Sequence, residues 1–271
     1  MSDFILHFDT AAFEQLDQFA LLVCQHYNLG NQGDWFGTFR GGLNGFYARL
    51  YGVALHYQTV HVWLPTVRSP KEIEYHLASI FFNLDSAIEC LTFALNALGY
   101  AAMPSSFRDV SDVRALKRIC PKDLLGDPST NPPRLPLAGY ATIFPNVQLL
   151  WQRKLILLNR IVEQHDVSKH RKTIFVGGMA RLDPPIGFYE SLSIPDDVAI
   201  RAQFWPMAEI ILQNDPKLPR AERTPQPAAD HVHLETLATE FVDFIRGTGN
   251  KALTDAQATI AIPEQSFRPP S

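Results

Sequence analysis

From His165 the chain reads His-Asp-Val-Ser-Lys-His-Arg-Lys. On a helix, Asp166 and His170 stand four residues apart and share one face. Lys169 and Arg171 add positive charge beside the imidazole. Histidine moves protons near neutral pH, and cations stabilise a charged phosphorane-like state. The set therefore suits binding or cleaving a phosphodiester. His170 and His165 would handle protons, Asp166 would orient an imidazole, and Lys169 and Arg171 would hold phosphate. A competing reading is an exposed last helical turn, where His, Lys and Arg satisfy the final carbonyls and the dipole.

A second set is Asp85 and Glu89, one turn apart and in line with Thr92 and Asn96. Two carboxylates at this spacing can ligate a divalent cation, or one can act as a base while the other stays charged. The competing reading pairs them with Arg or Lys from the helix expected near 146–172, since an isolated buried charge is very costly. Asp85, Glu89 and Asn96 thus join Lys169 and Arg171 as candidate binding residues. His231 and His233 would form a metal pair only in an extended segment, because i and i+2 diverge on a helix. His26, His56, His61 and His76 have no mutual spacing that implies a site. There is no Walker loop, no G-x-S-x-G and no H-E-x-x-H, and Gly177-Gly178 lacks a following Lys-Ser/Thr. No cofactor and no metal-ligand set are expected.

These residues need elements to position them. Leu77, Phe81, Leu84, Ile88, Leu91, Leu95 and Leu98 alternate spacings of four and three, the seam of a long packed helix. Ser69 can cap it, with Pro70 at its first position, Glu72 completing a capping box and Gly99 closing it. Thr10 caps a helix over about 10–27. A second helix is expected over about 43–57, against the cost of Gly41, Gly42, Gly45 and Gly52, since each interior glycine costs about 1 kcal/mol. A short helix over 111–119 stops at Pro121, and the proline-rich 121–145 reads as a surface loop. One helix then runs from about Asn146 through His170, packing through Val147, Trp151, Leu155, Leu158 and Val162. A β-rich insertion is expected near 173–213 and a proline-rich linker at 215–229. Asp230 caps a last helix, with Gly247 at its end. The sequence thus predicts a mainly α protein. An antiparallel helical bundle over residues 1–249 carries the small β-rich insertion, and 250–271 forms a loosely held tail.

A long acidic helix followed by a helix with D-x-x-x-H resembles the HEPN superfamily of small helical bundles. Members carry an R-polar-x-x-x-H motif, often act as metal-independent ribonucleases, and are commonly dimers. The polar position matches Asp166, the histidine matches His170, and the arginine position is occupied by His165. The resemblance covers about residues 70–172 and the last helix. It implies a homodimer that binds RNA or another phosphate-bearing partner. With His165 in the arginine's place, ribonuclease activity is in question. Two alternatives stay open: a non-catalytic scaffold for a protein partner, and a metal-dependent hydrolase using Asp85 and Glu89.

The whole chain bounds these readings. Its 271 residues, 46% hydrophobic and 19% charged, can bury a sizeable core. Net charge is −4, which does not advertise nucleic-acid binding in bulk. The charge is uneven, however. Residues 108–172 hold twelve Lys/Arg and six Asp/Glu, a local +6 that leaves the remainder at −10. Cys24, Cys90 and Cys120 lack the spacing of a zinc site or a disulfide framework. The N-terminus has no signal-peptide pattern. The apolar run from Leu77 is interrupted by Asn83, Asp85, Glu89 and Asn96, so it reads as a core helix. No membrane partner is expected, and cytoplasm is the default compartment. The aromatics of 35–64 exceed what one helix face buries, a second reason to expect a dimer.

Overall fold

Gly42, Gly45 and Gly52 of the second helix are there for a neighbour. A computed structural model describes residues 6–26, 34–63, 70–126, 135–170, 233–260 and 262. In it α2 runs unbroken over Trp35–Trp63, antiparallel to α3 over Pro70–Ala102. A Cβ at Gly42 would lie 2.8 Å from the Ala94 nitrogen and 2.9 Å from the Cys90 carbonyl oxygen. One at Gly45 would lie 3.0 Å from Cys90 Sγ, and one at Gly52 2.7 Å from Asn83 Oδ1. The helix-propensity cost of glycine is offset by backbone-to-backbone approach, which adds dispersion contacts. Hence α2 starts well before residue 43 and ends after residue 57. Asp34 caps it, its Oδ1 accepting from Gly37 N at 2.7 Å. The same stripe, at spacings of three and four, carries Arg49 and His56 toward α3.

Every seam residue of α3 from Leu77 to Leu98 is buried, as are Trp151, Leu158 and Phe241. Over Tyr75–Ala102 this helix is long and apolar enough to cross a membrane, yet 56% of its most apolar window is buried inside the bundle. Gly99 does not end it. Met103 N still donates to Gly99 O at 2.8 Å, and a Cβ at Gly99 would run into the Phe107 ring.

α1 (Ala11–His26) is capped by the Asp9 carboxylate rather than by the Thr10 hydroxyl. It lays Phe13 against Gly249 of the last helix. The expected helix over 111–119 shrinks to one turn, α4 (Val113–Leu116), capped by Asp112. Pro121 opens a further turn, α5 (Lys122–Leu125), which ends where Gly126 takes φ 83°. Part of the expected surface loop is helix: α6 covers Leu135–Ile143, with Tyr140 fully buried and its hydroxyl donating to Thr92 O at 3.3 Å.

The helix expected from 146 to 170 is two. α7 spans Pro145–Arg153 and α8 spans Leu155–His170, broken where Lys154 leaves helical geometry (φ −99°, ψ 14°). The break rotates the buried face. Val147 and Trp151 pack before it, and Leu157, Leu158 and Ile161 after it. Leu155 and Val162, expected on the packing side, are exposed.

α9 runs from His233 through Gly247 to Thr259. Residues 250–259, expected in a loose tail, are helical and bury Ala252, Asp255 and Ala256. Gly247 and Gly249 stand where Leu150 and Phe13 press on the helix, so neither marks its end. The architecture is therefore mainly α, a helical bundle with nine α-helices and no strand among the described residues. The expected β-rich insertion at 173–213, the linker at 215–229 and the Asp230 cap lie outside them.

Candidate functional site

α3 and α8 pack side by side, and the glycine stripe of α2 brings Arg49 to the same edge. Phe81 and Phe82 are adjacent on α3 and leave the helix axis about 100° apart. Phe81 goes into the core, and Phe82 is left 42% exposed. One turn on, Asp85 meets α8: its Oδ2 lies 2.7 Å from His165 Nδ1, both side chains being largely buried. An ionised carboxylate only accepts, so the imidazole carries its proton on Nδ1 and donates to Asp85. The His165 ring meets Phe82 edge to face, centroids 5.6 Å apart. The Arg49 guanidinium stands 5.1 Å from the Phe82 ring centre. The result is an exposed aromatic face between a cation and an oriented imidazole.

The expected residues distribute unevenly around it. Asp85 and His165 converge, so among the described side chains of α7–α8 the partner of Asp85 is this histidine. Asp166 is exposed and is not one of that pair. Lys169 and His170 belong to the last turn of α8 by backbone, but their side chains, and all of Arg171, lie outside the described residues. Glu89 is exposed, one turn from Asp85. Among the described residues no three His, Cys, Asp or Glu group as a metal ligand set. A hydrolytic metal usually needs three protein ligands, so Asp85 and Glu89 lack a third there.

Asn96 belongs to the core. Its Nδ2 donates to Arg108 O and its Oδ1 accepts from Arg108 N, each at 3.0 Å. Thr92 is buried and bonds Ile88 O on its own helix. The lower half of the polar line on α3 is thus internal scaffolding, while Asp85 is at the site.

Sequence reading missed Phe82, Arg49 and a histidine pair. The Phe81-Phe82 doublet was the available signal for Phe82, and the Gly45-x-x-x-Arg49-x-x-Gly52 spacing for Arg49. His56 and His76 come together from α2 and α3, their Nδ1 atoms 2.8 Å apart. Burial first, and then the neighbouring His76, lower the His56 pKa. Its folded value therefore lies below the ~6.5 of an unfolded histidine, and the unfolded chain takes the proton first. The contribution of His56 to stability is complete above about pH 6.5 and is lost as pH falls toward the folded value. Urea midpoints should therefore fall more steeply between pH 7.5 and pH 5.5 for the native chain than for His56→Gln. Parallel pH profiles would contradict this.

The fold and this site define a class, a mainly α bundle with a polar and aromatic edge. No protein-family model, curated protein or solved structure matches the chain.

Proposed function

We propose that the chain is a HEPN-like helical module that binds RNA, or another phosphate-bearing partner, at the α3–α8 edge. The observation that carries this reading is Phe82, an exposed ring between the Arg49 guanidinium and the Asp85–His165 pair. An aromatic face takes a nucleobase by stacking, and a nearby guanidinium takes its phosphate. Asp85 holds the imidazole in one orientation, so the polar wall beside the ring is preorganised. Lys169, His170 and Arg171, next along the sequence, are proposed as further phosphate-binding residues.

The proposed activity is binding, without cleavage. His165 stands where the resembled family has its arginine, and its Nδ1 is engaged by Asp85. The small β-rich insertion expected near 173–213 is part of the same proposal. A homodimer belongs to the same reading.

The test is anisotropy with a labelled single-stranded RNA across a salt series. Phe82→Ala should weaken binding about tenfold, the range of one lost stacking contact. Arg49→Gln should weaken it and lower the salt slope by about one. No RNA binding by the native chain, or unchanged binding by both variants, would remove the reading. A second reading, a scaffold for a protein partner, is favoured by Tyr51, Tyr75 and Ile156, each more than 60% exposed. Association that persists at high salt distinguishes it, because an apolar interface is little screened.

A further inference from the structure

We propose that His56 and His76 form a metal-binding clamp between α2 and α3, selective for a borderline divalent cation such as Zn2+ or Ni2+. The two residues stand on facing helices whose spacing is fixed one turn from His56 and two from His76, where Gly52 meets Asn83. At that separation the rings converge, Nδ1 to Nδ1 at 2.8 Å. Only one of two nitrogens so close can carry a proton, and the other must present a lone pair. A cation can take the place of that proton, the protonated ring shifting its hydrogen to Nε2.

Zinc–imidazole bonds of 2.0–2.1 Å at a tetrahedral angle place the two nitrogens about 3.3 Å apart. The pair would open by about half an ångström, a movement two half-buried side chains can make by rotation. Tyr75 flanks both rings nearly edge to face, centroids 6.2 Å from His56 and 5.3 Å from His76. It limits how the imidazoles can turn while leaving them in contact with solvent. Burial favours the neutral imidazole at His56, which is the form that ligates. Imidazole donors suit Zn2+, Ni2+ and Cu2+, whereas Mg2+ and Ca2+ require oxygen. Water can complete the coordination sphere, since both side chains are partly exposed. Bound metal would tie α2 to α3 about two turns from Arg49 and Phe82.

The experiment uses the full chain at pH 7.5. Thermal unfolding is followed with excess ZnCl2 or NiCl2, and with MgCl2 as control. Zinc and nickel should raise Tm by about 2–4 °C and magnesium should not. His56→Gln and His76→Gln should each abolish the rise. Because either variant could shift the baseline, Cu2+ is added to the native and variant chains and its paramagnetic resonance spectrum recorded at low temperature. The native chain should show coupling to two imidazole nitrogens and each variant to one. A native chain with no Tm rise in zinc or nickel overturns the proposal. So does a rise, or a two-nitrogen spectrum, that both variants retain, which would place the metal on other histidines.

Discussion

Asp123→Ala lowers unfolding stability by about 3–5 kcal/mol, the range for breaking a buried ion pair by removing one partner. Asp123 is fully buried, and its two oxygens accept from Arg108 Nε at 2.8 Å and Nη2 at 2.7 Å. This bidentate hydrogen bond, foremost, raises the Arg108 pKa. The guanidinium is itself mostly buried, so without the carboxylate it keeps its charge in a poorly solvated place. The pair is also linked to the fold through the backbone. Arg108 N and O are both held by Asn96, so α3, the segment after it and α5 meet at one residue. Nearby, burial foremost, with the Asp123 charge adding, pushes the Tyr140 phenol well above its usual range. Tyr140 therefore stays a neutral donor to Thr92 O. Urea denaturation measures the loss. Arg108→Ala/Asp123→Ala should lose less than the sum of the two single changes, because each single change leaves an unpaired charge that the double change does not. Additive losses, or less than about 1 kcal/mol for Asp123→Ala, would mean that the pair behaves as a surface salt bridge.

That network explains why part of the site was legible in sequence and part was not. The seam of α3 could be read because burial on a helix repeats every three or four residues, and Leu77 to Leu98 keep that period. Asp85 and Asn96 lie on the same polar line and look alike as residue types. They differ only in what packs against them: α8 and solvent at Asp85, and the Arg108 backbone at Asn96. Glycines were misleading for a related reason. Gly42, Gly45, Gly99 and Gly247 read as helix breakers or ends by local propensity. Tertiary approach by Cys90, Ala94, Phe107 and Leu150 decides their role. The His56–His76 pair depends on the α2–α3 register, which those glycines set. Twenty residues of separation carry no periodic signal of it. Similarly, α8 buries Leu157, Leu158 and Ile161 rather than Leu155 and Val162, and His165 follows Leu158 and Ile161 at spacings of seven and four to meet Asp85.

Asp255→Ala is expected to cost about 2–4 kcal/mol, a lost helix cap together with buried donors left unsatisfied. α7 begins at Pro145, which has no N–H, and Phe144 provides no side-chain cap. The first donors of the helix are therefore Asn146 N and Val147 N. Both are taken by Asp255 Oδ2, at 2.8 and 3.0 Å, while Oδ1 accepts from Asn146 Nδ2 at 2.6 Å. A carboxylate at this place also meets the positive end of the α7 dipole. Asp255 is only 2% exposed, so water does not readily replace it. The cap comes from a residue more than a hundred positions later in the chain, so local capping rules could not find it. It also explains why the chain beyond Gly249 is helical: Ala252, Ala256 and Ile260 pack into the core beside the carboxylate. A chain cut after Gly249 should thus lose the cap and this packing together, and unfold at lower urea than the point variant. Asp255→Asn keeps one side-chain carbonyl acceptor and should lose about half as much as Asp255→Ala. Trp151 fluorescence can follow all three, since its indole N–H donates to Thr248 on the same stretch of α9. Equal stability of the cut and full chains would show that α9 beyond Gly249 contributes nothing to the fold.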